Sequence, residues 1–276
     1  MVISSITAKF VRVFQRIILL RHRYGYALLS LVRRDLKTRY SPTFLGLGWA
    51  VLQPLILLLI YTFVFSAIIK VRFNAEDRTI DFVLYLVCGF LPYMALSEGI
   101  LRGSTSLKEN RGLLDKVIFP AEVLPAVGVV IAAVTEIIGL LLLVGLAACY
   151  GVKLSAWIVF LPLLVLLRIG ITLGLAWLTS ILNVFITDLG QFLGLLLTAW
   201  MFLTPIFYPV DLIPDYLVWL LKVNPLYYVI TAYRAVILQA GIPLPELLGL
   251  IFWAAAISVL GLWFFRQTIS RAKDFL

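Results

Sequence analysis

Charge is what this sequence has least of. Charged residues make up 13% of its 276 positions while 63% are hydrophobic, and the mean hydropathy is +1.07; soluble domains run at about 25% charged and about 45–50% apolar. That balance excludes an ordinary soluble domain and indicates an integral membrane protein. Histidine occurs once, as His22, which excludes a two-histidine metal site and a Ser/His/Asp arrangement. No glycine is followed by lysine, so the phosphate-binding loop GxxxxGK[ST] is missing. Any ATP-driven work would need a nucleotide-binding partner chain, and the sequence is not that of an enzyme. The two cysteines, Cys88 and Cys149, sit in apolar runs and read as small hydrophobes. The sequence also lacks a polar stretch long enough for a soluble domain, the pattern of a cleavable signal peptide, and the matched glycine-broken segments of many secondary transporters.

What is present is length without charge. Crossing a ~30 Å hydrocarbon core takes about 20 apolar residues, and six segments qualify: 44–69, 82–101, 123–149, 154–182, 189–208 and 247–265. The expected fold is all-α, with a cytoplasmic amphipathic segment at 1–43, a six-span domain at 44–265 and a tail at 266–276. The net charge of +9 is concentrated before the first span, in the loop after the second and in the tail. The positive-inside rule makes those regions cytoplasmic, N-in and C-in. This placement points to lipid headgroups as partners and away from nucleic acid.

The N-terminal segment carries two helical stripes. Lys9, Arg12, Arg16 and Arg23 share one arc beside Phe10, Phe14, Ile17 and Ile18. Further on, Leu28, Leu29, Val32, Leu36 and Tyr40 oppose Arg33, Arg34 and Lys37. Basic amphipathic helices of this kind lie in the membrane interface. Asp35 and Arg39 fall on the apolar side, at a spacing that lets them pair.

Ionisable groups at membrane depth need partners. Glu136 and Arg168 are equally far from the turn at Tyr150–Lys153, so an antiparallel hairpin brings them to one depth, where they are expected to pair as structural glue. Glu98 and Arg102 are expected to form a local i, i+4 pair.

The loop at 102–120 has room for one short surface helix. Asn110 or Ser106 could cap it; Leu113, Leu114, Val117 and Ile118 give it an apolar face, and Pro120 stops it. Between Pro209 and the last span, two stretches of helical length, DLIPDYLVWLLKV and NPLYYVITAYRAVIL, suit short re-entrant helices over 211–238. Asn224-Pro225 supplies a cap with proline at the first helical position.

Three stretches, NRGLLDKVIFPAEVLP, RRDLKTRYSPTFLGLGWAVLQPL and FLTPIFYPVDLIP with NPLYYVITAYRAVIL, resemble a known family in order and spacing. The chain is similar to the type-2 ABC exporter permeases of bacterial inner membranes, which export cell-surface polysaccharides such as O-antigen, capsule and teichoic acid. The resemblance implies a homodimer on which two P-loop ATPase subunits dock, binding ATP and Mg themselves, with no cofactor in this chain. It implies that Asn110, Leu113, Leu114, Lys116, Val117 and Phe119 couple to the ATPase. The implied export channel takes aromatic residues from spans one and five: Tyr61, Phe63, Phe65, Trp200, Phe202, Phe207 and Tyr208. Rings of this kind can pack on sugar CH faces without selecting one sugar. Tyr227, Tyr228, Tyr233 and Arg234 become external gate residues, and Arg33, Arg34, Lys37 and Arg39 recruiters of a lipid diphosphate. The residues themselves leave open a permease for a small hydrophobic molecule, a membrane enzyme acting on lipid-linked sugars, and a secondary transporter.

Overall fold

The computed structural model describes residues 25–38, 44–46, 48–64, 68, 79–116, 119–152, 156–210, 213–238, 241 and 244–276. Regular structure among them is entirely helical: α1 (25–38), α2 (Gly48–Thr62), α3 (Thr79–Glu109), α4 (Arg111–Lys116), α5 (Val123–Cys149), α6 (Leu161–Phe185), α7 (Leu189–Leu203), α8 (Val218–Val223), α9 (Pro225–Ile237) and α10 (Leu244–Lys273). A 3-10 turn, Ala156–Phe160, leads into α6. The first stripe of the N-terminal segment, with Lys9 to Arg23, lies outside the described residues.

Among the described residues, four stretches are long and apolar enough to cross a membrane: Ile80–Glu109, Val123–Cys149, Ala156–Phe185 and Leu244–Lys273. The expected first and fifth spans are represented by α2 and α7. Each has 15 residues, which at 1.5 Å per residue is about 22 Å, short of a ~30 Å core. Two helices run past their expected ends. α3 continues through Arg102 to Glu109, so the loop expected from 102 begins as helix; hydropathy falls there, but backbone hydrogen bonding does not depend on it. α10 continues to Lys273, with Ala272 buried and the Phe275 ring 5.3 Å from Phe185. The expected 266–276 tail is thus the last turns of a helix docked on the end of α6.

α3 is the centre of the bundle, against α5 and α6, and α10 covers the outer face of α6. Gly174 and Gly261 make the α6–α10 contact possible: a Cβ on Gly174 would lie 2.2 Å from the Ile257 carbonyl oxygen, and one on Gly261 2.1 Å from that of Gly174. Small residues that let backbones touch are the usual adhesive of membrane helices, where the solvent is as apolar as leucine. Ser258 Oγ adds a bond to the Gly170 carbonyl at 2.8 Å. α5 ends in a left-handed Gly151, φ 66°. Its bonds Gly151 N to Ala148 O and Val152 N to Ala147 O, 3.1 and 3.0 Å, close the helix in the 5→2, 6→1 pattern that reverses the chain into α6.

Two apolar clusters result. The larger joins α3, α5, α6, α9 and α10 around Leu84, Leu96, Leu143, Ile171 and Tyr233. The smaller, at the α4 end of the bundle, gathers Leu31 and Val32 of α1 with Leu107, Leu114, Leu124, Ile181, Phe265 and Ala272.

Candidate functional site

At the α4 end, α1 is both packed and tied. Its apolar stripe buries Leu31 and Val32, while Arg33, Arg34 and Lys37 stay exposed; Arg39 lies outside the described residues. Arg34 Nη2 donates to Asn110 Oδ1 at 2.9 Å, and Arg34 Nε to Asp35 Oδ1 at 3.1 Å. Asp35 is therefore satisfied by its neighbour Arg34. Glu98 and Arg102 do form their i, i+4 pair, at 2.9 Å. Arg34, Asp35, Arg102, Glu109 and Asn110 border a polar cavity of about 90 Å³ between α1, α3 and α5.

The expected coupling residues divide. Asn110 does not cap α4: its Nδ2 donates back to the Ser106 carbonyl at 3.0 Å, finishing α3, while its oxygen receives Arg34. Leu114 is 8% exposed and belongs to the smaller apolar cluster, so little of its side chain is open to a partner. Leu113 and Phe119 are half-buried in the same cluster. Val117, Ile118 and the Lys116 side chain lie outside the described residues; α4 exposes Arg111 and Gly112.

Of the aromatic residues, Trp200, Phe202, Phe207 and Tyr208 gather at the far end of α7. Phe63 and Phe202 turn outward, 63% and 59% exposed, while Phe65 and the Tyr61 side chain lie outside the described residues. Phe202 stacks on Phe207 with centroids 5.7 Å apart, and Phe207 meets Phe90 of α3 at 6.1 Å. Tyr208 Oη donates to the Phe202 carbonyl at 2.8 Å. Trp200 is committed elsewhere: half-buried, its Nε1 donates to Asn224 Oδ1 at 2.8 Å. Asn224 serves three helices, since the same oxygen accepts from Leu226 N at 3.0 Å to cap α9 and its Nδ2 donates to Thr204 Oγ1 at 2.8 Å.

The expected gate residues also separate. Tyr227 and Tyr228 are half-buried, with rings edge to face 5.4 Å apart, and Tyr228 Oη donates to the Lys222 carbonyl at 2.8 Å. Tyr233 and Arg234 are buried. Arg234, 4% exposed, donates to the carbonyls of Tyr85, Pro205 and Ile206 at 3.1, 2.7 and 2.8 Å, with its guanidinium 3.4 Å over the Tyr85 ring. Pro205 and Ile206 lie just past the end of α7, where carbonyls have no helical donor.

Tyr233 points inward. Its hydroxyl donates to Glu136 Oε1 at 2.8 Å, and Arg168 Nη2 donates to Glu136 Oε2. Arg168 Nη1 reaches Thr172 Oγ1 at 3.3 Å. The expected pair of spans three and four is thus a buried triad that includes α9. One acid, one base and one phenol, each engaged, form a fixed joint and not a reactive centre. No cluster that could hold a metal occurs among the described residues.

The family described as ABC-2 type transporter matches residues 26–238. The chain is 34% identical, over 89% of its length and 92% of the relative's, to the O-antigen export system permease protein RfbA of Myxococcus xanthus. It is 26% identical to the protein of the same name in Klebsiella pneumoniae, over 93% and 98% of the two lengths. It is also 26% identical, over 77% and 81%, to the polysialic acid transport protein KpsM of Escherichia coli. The family match over most of the chain, the Myxococcus relative and the long apolar helices agree: the chain belongs to the ABC-2 type transporter family, as a multi-pass permease of the bacterial inner membrane.

Proposed function

We propose that this chain is the membrane subunit of an ATP-driven exporter of a lipid-linked cell-surface polysaccharide, with two copies of the chain around the path and two P-loop ATPase subunits beneath, which bind the ATP and Mg. The observation that carries the substrate class is that relatives named for O-antigen export align over 92% and 98% of their own lengths. In this reading α2 and α7 complete six spans, N-in and C-in. The basic residues of α1, of the α3–α4 junction and of the end of α10 gather at the end of the bundle marked by the smaller apolar cluster, which supports a cytoplasmic assignment for that end.

The dimer is supported by what this chain leaves bare. α2 and α7 are the least covered long helices: in α7 only Leu193 and Leu197 are buried. A Cβ at Gly190 or Gly194 would meet nothing within 4 Å. Their GxxxG spacing suits another helix, and the outward Phe63 and Phe202 belong to the same two elements. For coupling, α4 offers exposed Arg111 and Gly112 and half-buried Leu113 beside the exposed basic residues of α1. Arg33, Arg34 and Lys37 remain available to an anionic headgroup.

Affinity purification from the native membrane in mild detergent, with mass spectrometry of the copurifying chains, tests the assembly. A P-loop ATPase in equal amount is expected, and a cysteine at Gly112, where a Cβ is unobstructed, should cross-link to it. Reproducible absence of a nucleotide-binding partner would reject the reading.

A further inference from the structure

Tyr233 and Arg234 are adjacent in sequence yet bind two different parts of the protein, and that division has a mechanical meaning. Tyr233 fixes α9 to Glu136, the middle residue of the 27-residue α5. Arg234 fixes it to the two carbonyls beyond α7 and to α3 at Tyr85. The beginning of α5 follows α4 closely in the chain, with only Val117–Glu122 between them, and Leu124 and Leu114 belong to the same smaller cluster. Inside α5 the sole proline, Pro125, lies in the first turn, so the helix from there to Glu136 is an uninterrupted rod of about 17 Å at 1.5 Å per residue.

We propose that Tyr233 and Arg234 make α9 a rigid bracket joining α5 to the end of α7, through which movement imposed on α4 reaches the opposite mouth of the path. The inference rests on the exporter reading above. The chemistry favours a positioning role over mere adhesion. A buried ion pair is weak evidence for stability, because apolar residues of similar volume often hold a core as well or better. What an apolar contact lacks is direction. Four hydrogen bonds, one from Tyr233 to Glu136 and three from Arg234, fix the rotation and height of α9 against three other elements, where apolar faces could slide. Double attachment on consecutive residues then leaves α9 unable to follow α5 without carrying the 205–206 backbone with it.

The test compares wild type with Tyr233→Phe and Glu136→Gln in the complete complex with its ATPase, reconstituted in proteoliposomes loaded with the lipid-linked glycan extracted from the source membrane. Tyr233→Phe keeps the ring and removes the one bond to α5. The bracket predicts an assembled complex that keeps its ATP turnover despite a modest loss of melting temperature from the Glu136 oxygen left unpartnered, with glycan exported per ATP lowered at least tenfold; Glu136→Gln, which retains an acceptor for Tyr233, keeps more coupling than Tyr233→Phe. Equal glycan per ATP in Tyr233→Phe and wild type overturns the bracket, as does a parallel fall of stability, hydrolysis and export, which marks a purely structural bond. If that variant does not assemble, hydrogen exchange of the wild-type complex decides. Segments 204–208 and 225–237 should change protection together on nucleotide binding, and independent changes overturn the proposal. A wild-type complex that hydrolyses no ATP and exports nothing rejects the exporter reading instead, so the two failures are distinct.

Discussion

A carboxylate at the middle of α5 persists because it is engaged on both oxygens. Glu136 receives Arg168 on one and Tyr233 on the other, and its side chain and that of Arg168 are both 0% exposed. Removing one partner of a buried pair leaves an unpaired charge and costs about 3–5 kcal/mol, whereas replacing both with apolar groups is often neutral. Glu136→Ala should therefore lose most of its folded fraction in detergent, and Glu136→Leu with Arg168→Met should recover much of it in thermal unfolding. A double variant no more stable than Glu136→Ala contradicts this account of the pair. The pairing was legible in the sequence, because both residues lie equally far from the Tyr150–Lys153 turn. Tyr233 as third partner was not, since it stands 97 positions from Glu136 and no periodicity links α9 to α5. Leu114 shows the same limit: its apolar stripe signals a covered face but not that it joins a cluster drawn from residues far apart in sequence, such as Leu31 and Phe265.

At the scale of elements, the contacts that hold the helices differ by place. α6 and α10 meet backbone to backbone at Gly174 and Gly261, so Gly261→Val has no space without separating the helices, while Gly112→Ala meets nothing within 4 Å. The first should abolish recovery of folded protein on size-exclusion chromatography; the second should leave it unchanged. A well-folded Gly261→Val chain would mean that this crossing is looser than described. Around α7 and α9 the contact is polar. Asn224→Ala removes the cap of α9 and the bonds to Trp200 and Thr204 together. Loss of a cap alone costs about 1 kcal/mol, so a larger loss is expected here, checked by thermal unfolding. The Asn224-Pro225 cap was readable from sequence because capping is local. The lengths of α3 and α10 were not, because hydropathy reports where the bilayer ends and not where the helix does.

For the whole molecule, the uncovered faces matter more than the covered ones. A single chain leaves α2 and α7 largely bare, as it does the outer face of α10, and the exporter reading assigns the faces of α2 and α7 to a second copy. Gly190→Leu with Gly194→Leu should leave the fold of one chain unaffected, since neither position touches it, and should weaken self-association, read as a shift toward monomer in cross-linking within native membranes. An unchanged dimer would move the contact away from this face of α7. Family and overall class were legible from composition, charge placement and three quoted stretches, whereas the joint between α5, α9 and the end of α7 exists only in three dimensions.

The most direct measurement is translocation itself, with the purified complex in proteoliposomes, its lipid-linked glycan on the ATPase side, and a glycan-cleaving enzyme confined to the other. The account predicts cleavage that requires ATP and vanishes when the partner's phosphate-binding lysine is substituted. Cleavage that proceeds without ATP, on an ion gradient alone, would contradict it.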